Sequence, residues 1–250
     1  MNEDTAKSEE NHLVCPISRG EFCTEMEKRV ARIAKEFHDG FIFITSYPKS
    51  VSFFGSARFT PDNPHSKQAE HLAGRIVKEI GYAVTTGGNA GIMEAANKGA
   101  FEAGGESIGL NIRLQQEKHG NSFTTASLDF SYFFSRKTML SYAAEAYIFM
   151  PGGFGTLDEL FEIITLVQTR KIRRIPIFLV GKDYWEPLDT FIRTTLYEVH
   201  QTISKHDLDL YVVTDDEDEI LEAIRKVPIA DGLMHQHHKE KKTAPGLSLD

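Results

Sequence analysis

From Glu21 to His38 the chain reads "EFCTEMEKRVARIAKEFH", with apolar residues at Phe22, Met26, Val30, Ile33, Ala34 and Phe37. That spacing gathers them on one face and predicts an amphipathic N-terminal helix. "FIFIT" follows and reads as a short strand or packed extended segment before Pro48. Beyond it, short apolar runs alternate with helical periods. "VSFFG" (51–55) is expected to be a buried strand, and "SKQAEHLAGRIVKEIG" a helix closed by Gly81. "YAVTTGG" and "SIGLNI" read as strands around the helix "GIMEAANKGAFEAGG", and 113–127 reads as a loop region. "DFSYFFSRKTMLSYAAE" predicts a helix, "AYIFM" a strand and "TLDELFEIITLVQTRK" a helix. Strand "IPIFLV", helix "YWEPLDTFIRTTLYEV", strand "LYVVT" and helix "DDEDEILEAIRKV" complete the pattern. Thr214 and Glu217 have the spacing of a capping box for that last helix.

Apolar strands alternating with amphipathic helices imply an α/β fold, a doubly wound parallel sheet covered on both faces. The pattern runs as a single domain over 21–230, opened by the N-terminal helix. Residues 1–20 and 231–250 carry no period and are expected to be mobile tails. His235, His237 and His238 lie in the second tail, and such a tract is more often incidental than a metal site.

With 41% hydrophobic and 26% charged residues over 250 positions, one good α/β core can be buried. The net charge of −8 argues against a nucleic-acid or anionic-membrane binder, since both want a positive surface. A small anionic ligand needs only a local positive field and stays open. The start is polar and acidic, unlike a signal or transit peptide, and no apolar run approaches a membrane span. Cys15 and Cys23 can pair under oxidation, but a reduced cytoplasmic protein is the plainer expectation.

Two strand-to-helix turns are rich in glycine: "TTGGNAGIM" and "MPGGFGTLDE". In doubly wound sheets ligands sit at such turns, where glycine lets backbone approach an anion and the helix offers free N–H groups. Neither turn has the GxxxxGK[ST] or GxGxxG spacing, and Asn111 stands where a dinucleotide site wants an acid on its ribose. An ATPase and a dehydrogenase are therefore discounted, and a monophosphate fits better. The plainer reading of "GTLDE" is a capping box between Thr156 and Glu159. It leaves the joint presence of Gly152, Gly153 and Gly155 unexplained.

"VSFFGSAR", "TTGGNAGIMEAANKGA", "SIGLNI", "FFSRKTML", "PGGFGTLDELFE" and "LVQTRKI" occur in this order. Together they resemble the LOG family, named for the "lonely guy" plant enzymes and often mislabelled as lysine decarboxylases. The resemblance covers roughly residues 21 to 228. It implies a Rossmann-like fold, a homodimer or higher oligomer, and hydrolysis of nucleoside 5′-monophosphates to free base and ribose 5-phosphate, without a cofactor or metal. Carried over by position, it makes Arg136 and Glu159 the catalytic pair. Gly152, Gly153, Gly155 and Thr156 become the phosphate cradle, and Gly55, Ser56, Gly87 and Gly88 line the nucleotide cleft. Asn89 and Ala90 stand where many relatives have glycine and proline, and Phe134-Ser135 where the plant-type enzymes have His-Glu. The second departure places the chain nearer the longer bacterial members.

Breaking an N-glycosidic bond develops positive charge on the ribose, which a carboxylate can stabilise while orienting water. Glu159, near a helix N-terminus, is expected to be ionised and to act as base or charge stabiliser. Arg136 supplies charge rather than a proton. No general acid is identified. Glu162 shares the Glu159 face and is expected to be structural, whereas Asp158 points about 100° away. Arg58 is a candidate phosphate or base contact, or a surface ion pair. Met139 is a candidate base contact or a core residue. Lys137 is expected on a solvated or interface face, and Trp185 in the core or an interface. A nucleotide-binding regulator without turnover is the alternative function, and a single-stranded nucleic-acid binder is disfavoured by the acidity.

Overall fold

A computed structural model describes residues 19–113 and 121–227. The expected tails, with Cys15 and the three C-terminal histidines, lie outside these residues, except Arg19 and Gly20, which open the first helix. Cys23 is exposed, and among the described residues it is in no disulfide.

Helix α1 (Arg19–Thr45) is longer than the periodicity announces, and "FIFIT" is its last turns rather than a strand. No proline separates His38 from Thr45, and the helix runs through Gly40 because Phe37, Phe41 and Ile44 continue its buried face onto the sheet. Gly40 permits a close approach, since a Cβ there would stand 2.7 Å from Met139. Strand β1 (Ser50–Phe54) is wholly buried. Helix α2 (Pro64–Arg75) is capped by Asn63, continues as a wider turn over Ile76–Ile80, and stops at Gly81 in the left-handed region. Then follow β2 (Ala83–Thr86), α3 (Ile92–Glu102) and β3 (Ser107–Ile112). Strand β4 (Ala126–Phe130) occupies sequence expected as loop and helix start. Helix α4 (Phe133–Tyr142), β5 (Ala146–Phe149) and α5 (Phe154–Gln168) come next. Strand β6 (Ile177–Leu179), α6 (Lys182–Thr190, prolonged as a wider helix to Val199), β7 (Val212–Val213) and α7 (Glu217–Arg225) finish the domain.

The seven strands form one parallel sheet in the order β4-β3-β2-β1-β5-β6-β7. Alternation along the central strands feeds two cores: Val51, Phe53 and Ile148 face α2, α3 and α7, while Phe54, Tyr147 and Phe149 face α1, α4, α5 and α6. Trp185 is a core residue, its indole N–H donating to the carbonyls of Phe149 and Val180. The capping box expected at Thr214 and Glu217 does not form. Asp216 caps α7, accepting from the N–H groups of Asp218 and Glu219, and Thr214 donates to Glu219 instead. Among the described residues no helix is long and apolar enough to cross a membrane.

The chain builds from β1 outward to β4 and then returns to β5 on the other side of β1. The strand order therefore reverses between β1 and β5, and the crevice beyond their carboxyl ends is where such sheets hold ligands.

Candidate active site

Above β1 and β5 lies a cleft of about 930 Å³, walled by Gly55, Gly87, Arg136, Lys137, Gly153 and Glu159 among others. Its floor is stitched across the switch point. The Ser56 N–H donates to the Pro151 carbonyl at 3.0 Å, and the Ser56 carbonyl accepts from the Ile92 N–H at 2.9 Å. Gly91, at φ +72°, makes the second approach possible, because a Cβ there would stand 2.2 Å from the Ser56 oxygen.

The three glycines of "PGGFGT" have different reasons. A Cβ on Gly152 would fall 2.0 Å from Thr156 Oγ1 and 3.0 Å from the Ser56 nitrogen, so packing excludes a side chain there. On Gly153 and Gly155 a Cβ would meet nothing within 4 Å. Gly153 is the N-cap of α5, has φ −94°, and its helix receives no side-chain cap. Gly155 sits in the first turn, where alanine is the better helix former by about 1 kcal/mol. Neither fold nor packing asks for these two glycines, and their bareness leaves the start of α5 uncovered on the cleft side. The capping box expected between Thr156 and Glu159 is absent, because the helix begins at Phe154 and Thr156 lies within it. Tyr184 braces the turn from α6, its hydroxyl donating to the Gly152 carbonyl.

Glu159 is 8% exposed, and its Oε2 has no hydrogen-bond partner among the described residues. Burial pushes its pKa up to about 7, against the pull of the Lys137 and Arg136 charges, with Glu162 and Asp158 adding to the rise. This corrects the expectation of a simply ionised carboxylate: desolvation outweighs the helix dipole. Arg136 reaches in from α4. Its Nε donates to the Leu110 carbonyl at 2.6 Å and one terminal nitrogen to the Gly87 carbonyl at 3.1 Å. Burial lowers the Arg136 pKa and the Glu159 carboxylate opposes this. A Cβ on Gly87 would lie 2.0 Å from the guanidinium, so that glycine makes room for the arginine.

Lys137 does not face away, as its place next to Arg136 suggested. It lines the cleft and pairs with Asp158 at 2.7 Å and with Glu162. Burial disfavours its charge, but the two carboxylates outweigh that and hold its pKa above the ordinary range. Asp158 and Glu162, flanking Glu159, are thus both held by one cation.

Gly55, Arg58, Gly87, Gly152, Gly153, Gly155 and Thr156 are brought to the cleft with the pair Arg136 and Glu159. Ser56 lines it too, with its hydroxyl already accepting from the Arg58 N–H at 3.1 Å. Met139 does not: it is fully buried in the core beneath Gly40, because α4 turns that position toward α1. Gly88 lies off the cleft and shapes the turn, at φ +70° with its N–H donating to Thr86 Oγ1. Asn89 is not in the left-handed region; Gly88 and Gly91 take those conformations on either side. Phe133, Phe154, Tyr184 and Met93 line the cleft without having been singled out in the sequence. Phe154, 93% exposed within a glycine turn, is the one that its neighbours could have flagged.

The fold and cleft together define a Rossmann-like α/β protein with a glycine-lined cleft at the switch point of its sheet. A family model described as "Possible lysine decarboxylase" matches residues 93–224, and the chain belongs to that family, the LOG family. It is 31% identical over 135 residues to cytokinin riboside 5′-monophosphate phosphoribohydrolase LOG5 of Arabidopsis thaliana, 51% of this chain and 57% of that one. The match thus spans little more than half of that relative's length. It is 25% identical over 156 residues to the cytokinin riboside 5′-monophosphate phosphoribohydrolase of Rhodococcoides fascians, 60% of this chain and 77% of that one. Among solved structures, the molybdenum cofactor carrier protein of Chlamydomonas reinhardtii shares the fold, at a TM-score of 0.52 and 21% identity. It covers 72% of this chain, which covers 97% of it.

Proposed function

We propose that this cleft hydrolyses the N-glycosidic bond of nucleoside 5′-monophosphates, with residues 21–230 as one catalytic domain. The observation that carries the reading is the buried Glu159 carboxyl, unpartnered at Oε2, beside a helix start kept bare by Gly153 and Gly155. The names of the relatives supply the reaction class.

In this mechanism the 5′-phosphate docks on the free N–H groups of α5, favoured by the helix dipole. The ribose then lies toward Glu159. As the C1′–N bond breaks, its electron pair leaves with the base and positive charge grows on the ring, as in glycoside hydrolysis. The ionised Glu159 stabilises that charge and takes a proton from the water that adds to C1′. With a pKa of about 7 the same carboxyl can hold this proton and pass it on toward the departing base. Arg136 stays cationic throughout and fixes the field across the cleft. Lys137 neutralises Asp158 and Glu162, which would otherwise drive the Glu159 pKa higher.

Exposed Phe133, Phe134, Phe154 and Phe161 on α4 and α5 support a homo-oligomer covering this face. The test is free-base release from a panel of nucleoside 5′-monophosphates and the matching nucleosides, with wild type and Glu159→Gln in parallel. Release from monophosphates alone, lost in Glu159→Gln, is the expected result. Equal AMP binding by both proteins with no release from any substrate would leave a nucleotide-binding regulator.

A further inference from the structure

Helix α4 carries Arg136 and Lys137, yet nothing on its own strand-to-helix turn caps it. Its N-cap residue is Tyr132, and no side chain from that position accepts from the first turn. The acceptors come from the N-terminal helix. Glu36 of α1 accepts from the Ser131 N–H at 2.7 Å through one oxygen. Through the other it accepts from the Tyr132 N–H at 3.3 Å and from the Ser135 hydroxyl at 2.6 Å. Ser135 is fully buried and immediately precedes Arg136. The joint is reinforced by Phe37 stacked on Phe134 and by the Arg29 guanidinium over the Tyr132 ring. Burial works against the charge of Glu36, but its hydrogen bonds to Ser135, Ser131 and Tyr132 outweigh that and hold its carboxyl below the ordinary range. It is a fixed anion at the start of α4, favourable to the helix dipole.

We infer that Glu36 is a positioning residue for the cleft: from α1 it grips the first turn of α4 and so sets Arg136 on the carbonyls of Leu110 and Gly87. Glu36 and the whole of α1 precede the segment that the family model matches. The N-terminal helix is therefore a working part of the site and not a decoration of the fold. The catalytic consequence rests on the proposed function; the placement of Arg136 does not.

The test uses the full chain and reads the two separately. In nitrogen-15 NMR, the Arg136 Nε–H signal is identified by its loss in Arg136→Lys, and its solvent exchange is slow because it is bonded to Leu110. In Glu36→Ala that exchange is expected to speed up by about tenfold or more. The indole N–H of Trp185, the only tryptophan, is bonded to the carbonyls of Phe149 and Val180, which Glu36 does not touch, and should keep its wild-type rate. Glu36→Gln keeps a carbonyl acceptor and should recover part of the protection, and it serves in place of the alanine variant if that does not fold. An unchanged Arg136 rate overturns the inference, and so does equal acceleration at Arg136 and Trp185, which would make Glu36 a general stabiliser. In turnover, Glu36→Ala is expected to lower kcat about tenfold with little change in KM, because the phosphate cradle belongs to α5. If the wild type releases no base, the proposed function fails, and the exchange rates still decide the role of Glu36.

Discussion

Glu159→Gln should gain stability on the wild type as the ligand-free protein is moved from acid to alkaline buffer, and should abolish base release. The carboxyl has an ordinary pKa of 4.5 when exposed and about 7 in the fold. The folded state therefore binds the proton more tightly, and stability from this group is present at low pH and lost as pH rises through about 7. The difference of roughly 2.5 pKa units corresponds to about 3.4 kcal/mol, of which about 2.5 kcal/mol is lost between about pH 5 and pH 8. Glutamine has the same shape and no titration. It brings an amide whose N–H groups inherit the poor hydrogen bonding of Oε2, a penalty of roughly 1–3 kcal/mol that does not vary with pH. The gap between wild type and variant therefore varies with pH only through Glu159. Urea unfolding of both proteins at about pH 5 and pH 8 isolates it, since every other titrating group is shared. The variant should gain about 2.5 kcal/mol on the wild type over that interval. A gap constant across the interval would refute the reasoning, for Glu159 would then titrate alike in folded and unfolded chains.

Gly155→Ala should raise the melting temperature slightly, from helix propensity of about 1 kcal/mol, yet raise KM for monophosphates at least about tenfold by placing a methyl in the anion's seat. Gly152→Ala should instead destabilise the fold by about 1–3 kcal/mol, because its Cβ meets Thr156 and the Ser56 backbone; a melting curve separates the two glycines. Lys137→Met removes the cation shared by Asp158 and Glu162 and one that lowers the Glu159 pKa, so the rising limb of the pH–rate profile should move to higher pH. A profile that stays in place would show that Lys137 does not govern the site electrostatically.

The sheet was largely legible because its central strands are continuous apolar runs, as in "VSFFG" and "AYIFM", which only burial on two faces explains. Strand β4 escaped because "ASLDF" lies at the edge and buries only part of one face. "FIFIT" misled for the opposite reason: Phe and Ile suit a strand, and only packing of Phe41 and Ile44 on the sheet keeps it helical. At the site, the glycine-rich turn itself drew notice to Gly152, Gly153 and Gly155, while Arg136 and Glu159 became a catalytic pair only through the family resemblance. The state of Glu159 was not readable, because the helix dipole is local and visible in sequence whereas desolvation is made by the whole cleft. Lys137 was misplaced by reasoning from helical angle alone, since its long flexible stem carries the ammonium round to α5. Glu36 had no signal, as its partners are about a hundred residues away along the chain and meet it only in the folded protein.

The central place of β1 has a consequence for how the protein is made. Its neighbours are β2, a short way along the chain, and β5, whose Ala146 pairs with Val51 across most of a hundred residues. During synthesis the first four strands can assemble while one edge of β1 stands open, and the cleft has only half its wall until β5 slides into that edge. Parallel pairing at such range is slow to nucleate, so the exposed edge is the moment of greatest aggregation risk. The long α1 needs no such wait, since its partner α4 is made ahead of β5 and the two can cover one face of the assembly while that edge is still open.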